Sequence, residues 1–359
     1  MKKIFRDFVF LSPLTAALIV FIGSVLFSGC YVLQQGTTML GYLNNAVPVE
    51  SLLDENASEE DHLFVQRIMD IRSFAAEELG LEKNDNYTRY VNIDRDYLAN
   101  IVSASAKDSF TRHEWWFPVT GNVPYKGFFD IEGAREEAAS LKEKDLDVWI
   151  RRVDAFSTLG WFSDPLYSYM RNYPAYRIAD LLIHEQLHAT VYLKDNSQFN
   201  EELAEFIGTE GSRLYIEKTF SRDSAEYSAM ENQKKDNVVY VSFIREVIAE
   251  LETLYTSSMS REEKLLKKEE IIGASKKRFE ENYDNAFQSD NYRGFINLPV
   301  NNAYFELFRL YYAGDNYLED LYNRSGKDLK KFINAAKTLT TDGDPKDQLK
   351  KALGLKEQE

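Results

Sequence analysis

Apolar residues recur at helical spacing in several separate stretches of the chain. Leu63, Ile68, Ile71, Phe74, Ala75 and Leu79 predict a helix over 62–80, which Gly80 is placed to stop. Ahead of it, the segment to about Leu53 is mildly polar and the run Asp54 to Asp61 is acidic, the pattern of a tether leading into a first helix. Tyr90 to Ile93 has the composition of a short strand. Two apolar runs, Trp115 to Val119 and Val123 to Phe129, flank Gly121-Asn122 and predict a hairpin with its turn on that pair. A helix over Glu132 to Lys144 and a strand over Val148 to Phe156 follow. Ile178, Leu181 and Leu182 then predict a helix that starts at Pro174 and runs to about Leu193.

Beyond Gly211 the chain becomes helical and charged. Val238, Val241, Ile244, Val247, Ile248, Leu251 and Leu254 form one apolar face, and Ser260 with Glu263 is a capping box that opens another helix. A further helix runs from Pro299 to Tyr312, and the polar stretch after Thr341 reads as a frayed tail. The pattern predicts an α+β protein: a small, mostly antiparallel sheet packed on the helix after Pro174, with a large helical C-terminal part. Its expected divisions are a leader over 1–29, an N-terminal lobe over 30–165, a helical lobe over 166–340 and a polar tail over 341–359.

The 359 residues suffice for a large core or two lobes, and 44% hydrophobic with 14% aromatic residues is the composition of a folded chain. A net charge of −15 repels nucleic acid, so no nucleic-acid partner is expected. All four tryptophans fall between Trp115 and Trp161, where they can pack a core or wall a substrate cleft.

The sole cysteine, Cys30, excludes an intramolecular disulfide. Lys2, Lys3 and Arg6 precede the apolar run Leu14 to Leu26, and Phe27-Ser28-Gly29-Cys30 closes it. This resembles a bacterial lipoprotein signal peptide, with Phe27 where leucine is usual. The resemblance implies that Cys30 is lipidated and holds the protein on a membrane of the cell envelope, facing periplasm or cell exterior. An uncleaved anchor over residues 8 to 28 would place the rest of the chain on the same side.

The chemistry centres on His184-Glu185-Gln186-Leu187-His188. Histidines four apart on a helix stack on one face and can share a metal, and a glutamate directly after the first lies beside that metal. Two histidines need a third protein ligand, and Asn200-Glu201-Glu202-Leu203-Ala204-Glu205 supplies carboxylates a dozen residues on. On a helix starting near Asn200, Glu201 and Glu202 point about 100° apart, so one alone can face the metal. Glu201 shares its side with Ala204, Glu205, Gly208 and, further round, Gly211, small residues that would let the metal helix approach. Leu203, Ile207 and Leu214 occupy the far side and Glu202 points toward solvent. The expected set is therefore one Zn2+ per chain on His184, His188 and Glu201, with Glu205 as an acceptor that fixes an imidazole tautomer. Such a site leaves a fourth position for water, with Glu185 as general base.

The chain resembles a bacterial family of predicted aminopeptidases with features of the gluzincin zinc peptidases. The likeness rests on Trp116-Phe117-Pro118, Val123-Pro124-Tyr125-Lys126-Gly127, Ser157 to Phe162, His184 to His188, Phe199-Asn200-Glu201 and Asn301-Asn302-Ala303, and spans Cys30 to about residue 336. It implies a zincin-like fold, a peptide substrate, and a strand before the metal helix that pairs with that substrate. It also implies a Tyr or His that stabilises the oxyanion, for which Tyr312, His113 and Tyr125 are candidates. Two rival readings use the same residues: a zinc amidase or endopeptidase acting on cell-wall peptides, and a non-catalytic metal-binding lipoprotein.

Overall fold

The computed structural model describes residues 31, 34–117, 121–154, 164–312 and 317–355, with the side chains at 197 and 310–312 outside that description. The leader, Cys30, Pro118, the Ser157 to Phe162 motif and the Tyr312 side chain therefore lie outside the described residues. Among those described, no helix is long and apolar enough to cross a membrane.

The architecture is α+β, mostly helical, with small sheets. Helix α1 (34–45) leads into β1 (Val47–Pro48) and α2 (Glu59–Glu77). Ser58 and Asp61 cap α2 reciprocally, and Gly80, at φ +77°, lies three residues past its end. Strands β2 (Arg89–Val91), β3 (Ala99–Ala106), β4 (Trp115–Phe117), β5 (Gly121–Val123) and β6 (Lys126–Phe128) precede α3 (Ile131–Glu143), β7 (Leu146–Val153) and β8 (Leu166–Tyr167). The remainder is helical: α4 (Ala175–Thr190), α5 (Ser197–Thr219), α6 (Ala225–Thr256), α7 (Arg261–Ala286), α8 (Asn302–Tyr312), α9 (Tyr317–Arg324), α10 (Leu329–Ala336) and α11 (Pro345–Ala352).

Helix α4 occupies the middle of the largest core. Ile178, Ala179, Leu182, Ile183 and Leu187 pack among α2, α5, α9, α10, α11 and the strands β2 and β8. That core draws residues from both sides of position 165, and β2 pairs in parallel with β8 across it, Tyr90 opposite Leu166. Two further cores flank it. One joins α6, α7 and α8 around Ile244, Phe279, Phe295 and Phe305. The other packs α3 on Val102, Ala104 and Val148 of the antiparallel sheet β6-β3-β7. Alternation along β7 divides its faces: Val148 and Ile150 turn to α3, while Trp149 meets Tyr304 of α8 at 4.9 Å.

Several expectations are corrected here. The larger antiparallel sheet lies between α3 and α8, and the sheet that packs in the core of α4 is the short β1-β2-β8, whose β2/β8 pair is parallel. The expected turn residues Gly121-Asn122 are strand residues, with Trp116 opposite Asn122, and β6 leaves the hairpin to pair with β3. Val238 is 65% exposed and is not part of the α6 apolar face. The stretch after Thr341 is not frayed throughout, since Asp344 caps α11 and Leu349 and Leu353 are buried in the main core.

Candidate metal centre

Each end of α4 is pinned locally. Pro174, which cannot donate a backbone hydrogen bond, stands directly before Ala175, and Arg177 in the first turns pairs with Asp154 just past β7. At the other end the helix stops at Thr190, short of the expected Leu193. Thr190 Oγ1 donates to the Gln186 carbonyl and accepts from the Glu82 backbone N–H at 3.0 Å. The chain then turns into α5, and buried Asn200 grips that link. Its Nδ2 donates to the Leu193 carbonyl at 2.8 Å and its Oδ1 accepts from the Leu193 N–H at 3.0 Å. Phe199 is sunk in the core on one side of Asn200, and Glu201, on the other, is directed at α4.

Small residues let the two helices close. A Cβ on Gly208 would lie 2.7 Å from Asp180 Oδ1, 3.0 Å from the Asp180 carbonyl oxygen and 3.1 Å from His184 Cβ. One on Gly211 would meet Ile183 and Leu79 at 3.0 Å. Ala204, Leu203 and Ile207 are fully or nearly fully buried, as the predicted register requires.

Three ligand atoms converge across this contact. His184 Nε2 and His188 Nε2 are 3.2 Å apart, and the Glu201 carboxylate oxygens lie 3.7 Å and 3.5 Å from them respectively. Tetrahedral zinc with bonds of about 2.0–2.2 Å separates its ligands by about 3.3–3.6 Å, so the donor set fits that ion in both chemistry and spacing. Burial pushes both imidazoles down to about 4, with His188 adding to the effect on His184, so both rings offer neutral lone pairs at pH 7. Burial also raises the Glu201 carboxyl. Glu202 takes no part in the convergence: it pairs with Lys346 of α11 at 3.0 Å and is largely covered, which corrects the expectation that it faces solvent.

Glu185 is buried on the same helix, near enough to Tyr87 for its charge to act on the phenol. Tyr87 was not foreseen. It is fully enclosed at φ +60°, a strained backbone state for a non-glycine residue, and burial, then Glu185 and Asp164, hold its phenol well above the ordinary range. Glu205 also departs from expectation. Neither imidazole hydrogen-bonds it among the described residues, and its carboxylate faces Asp180, one turn before His184. Burial and the negative Glu205 push Asp180 up to about 7, against a hydrogen bond from Thr209. Burial, Glu201 and Glu202 raise Glu205 in turn. The spacing of four from each histidine or glutamate ligand was the available signal for this second pair.

A family model described as "Putative aminopeptidase" matches residues 30–353. The chain belongs to that family. Neither curated proteins nor solved structures give a match. Within the family's span, the Asn301-Asn302-Ala303 motif is structural. Asn301 Nδ2 donates to the Val148 carbonyl, Asn302 Nδ2 donates to the carbonyls of Ala106 and Ser109, and Tyr255 donates to Asn302 Oδ1. These bonds fasten α8 to the sheet. The Val123 to Gly127 motif belongs to a second fastening, where Lys126 and the Trp115 indole N–H both donate to Glu137 of α3. His113 packs edge-on to Trp115 at 4.6 Å, in that assembly and not against α4 or α5. Tyr125 lies between β5 and β6 of the same region.

The close helix contact generates a prediction. Gly208→Ala should weaken zinc binding at least tenfold, because the new methyl displaces the segment carrying His184. Gly273→Ala, where a Cβ meets open space in α7, should leave zinc affinity unchanged and stabilise the fold by about 0.5–1 kcal/mol. Zinc titration and urea unfolding of both variants check the pair, and unaltered zinc affinity in Gly208→Ala contradicts it.

Proposed function

We propose that the protein is a zinc-dependent, membrane-anchored peptidase with a zincin-like centre in which His184, His188 and Glu201 hold the ion. One observation carries this reading: three neutral or anionic donors from two helices converge at the spacing of a tetrahedral ion, with Glu185 adjacent to the first. Membership of the aminopeptidase family supports peptide hydrolysis as the reaction. Zinc bound here would polarise the scissile carbonyl and make water a nucleophile at neutral pH.

The chain's own residues supply the remainder. His184 and His188 stay unprotonated because they are buried, so the ligand set needs no proton release near pH 7. Glu185 takes a proton from the attacking water at its carboxylate and returns it to the leaving amine. Tyr87, enclosed by the core, stands within range of the charge on that carboxylate.

Glu185→Gln should keep the zinc and lose hydrolysis by about 10²–10⁴-fold or more, since the base goes while the ligands stay. Glu201→Ala should lose zinc, whereas Glu202→Ala should bind it almost as the parent does, because its partner is Lys346. Metal titration beside a peptide-library digest separates the outcomes. Near-parental turnover in Glu185→Gln contradicts the assignment of the base and favours a metal-binding lipoprotein without catalysis.

The membrane attachment rests on the basic start, the apolar run and Cys30. Cys30→Ser should release the protein from the membrane or leave an unprocessed precursor. Labelled fatty acid that fails to enter the wild-type chain would point to an uncleaved anchor.

A further inference from the structure

Helix α1, which the sequence pattern assigns to a tether, is docked on the rest of the protein. Gln35 Oε1 accepts from the Phe129 backbone N–H at 2.9 Å, and Arg95 donates to the Tyr42 hydroxyl at 2.6 Å. Tyr42 also meets the rings of Phe129 and Tyr167 edge-on at 5.6 Å and 6.2 Å, which ties α1 to the end of β6 and to the main core.

Tyr31, shortly before α1, is fixed more firmly still. Its ring packs on Phe117 of β4 at 5.8 Å and on Phe128 of β6 at 5.4 Å, and its hydroxyl donates to the Gly127 carbonyl. The Lys126 ammonium stands 4.7 Å over the same ring, and burial pushes the Tyr31 phenol up to about 12. One peptide bond links Tyr31 to Cys30. An acyl anchor on that cysteine, or an uncleaved anchor ending at residue 28, therefore leaves the protein within roughly 10 Å of the Tyr31 backbone. On either form of attachment the β4–β5 hairpin stands against the bilayer.

Alternation along β4 sorts its side chains. Trp115 and Phe117 turn inward, to Glu137 of α3 and to Tyr31, and Trp116 between them turns out. Trp116 is 64% exposed, the most exposed aromatic side chain among the described residues, and Asn122 opposite it is exposed as well. A single exposed apolar side chain is ordinary on any protein. This one adjoins the residue that packs on Tyr31, at the edge where the chain meets its anchor. Indole, an apolar ring with one N–H, suits the boundary between acyl chains and headgroups. A chain of net charge −15 is not drawn to anionic headgroups by its overall field, which leaves an apolar contact to orient it.

We propose that the outer face of the β4–β5 hairpin rests on the bilayer with the Trp116 indole in its interface, so that the anchor and this side chain together hold the protein by one face. The proposal rests on the membrane-anchored reading, and its test reports the two separately. Full-length protein carrying its own anchor is reconstituted into phosphatidylcholine vesicles, with acyl chains either brominated, which quenches tryptophan at close range, or unbrominated. Flotation reports attachment, and fluorescence reports the indole.

Brominated vesicles should quench the wild type. In Trp116→Phe, which keeps Trp115, Trp149 and Trp161 as emitters, the quenched emission should fall at least threefold while flotation and thermal unfolding stay as they were. Equal quenched emission in the two proteins overturns the proposal, and so does a wild type that floats without quenching. Trp116 emission that shifts to the blue with protein concentration, and not with lipid, assigns the face to a second copy of the chain and overturns it too. A wild type that does not float refutes the attachment itself, and the proposal falls with it.

Discussion

The separation of α4 and α5 governs the rest of the site. Two imidazoles four residues apart can meet on one helix without outside help, but a third ligand from another helix arrives only if the two backbones come close. Gly208 and Gly211 permit that approach, and neither position can gain a methyl group without meeting Asp180, His184, Ile183 or Leu79. Asn200 sets the other coordinate by holding both polar groups of Leu193, so the link between the helices cannot slide and Glu201 arrives at a defined height. The main core then clamps the pair from outside with Leu182, Ile183, Leu203 and Ile207.

Burial around this contact also sets the protonation states. The low-dielectric surroundings that push His184 and His188 down push Asp180 and Glu205 up, so opposite shifts stand side by side along the α4–α5 contact. The layer of imidazoles suits a metal. Tyr87, at φ +60° and enclosed, is held well above the ordinary phenol range by burial first and by Glu185 and Asp164 after it.

Much of the centre was legible because its determinants are local. The histidine spacing needs only the helix period, and the choice of Glu201 over Glu202 needs only the register of α5; Lys346 then accounts for Glu202. Other features depend on tertiary packing and left little trace. Strand β3 carries Ala and Ser at most positions, which hides its alternation. Helix α11 has too few apolar residues to announce itself, yet Leu349 and Leu353 are enough to dock it. The asparagines at 301 and 302, part of the family likeness, are polar clamps between α8 and the sheet, a role that side-chain type alone does not distinguish from a site residue. Asp180 passed unnoticed because an aspartate on an amphipathic helix normally faces water, and only the helix packed over it removes that water.

The central claim is that these three side chains form a metal site, and the most direct measurement is elemental analysis of the protein purified without chelator. The account predicts about one zinc per chain, lost together with Glu201 in Glu201→Ala. A wild-type protein that holds no transition metal, and takes up none when zinc is added, would contradict it.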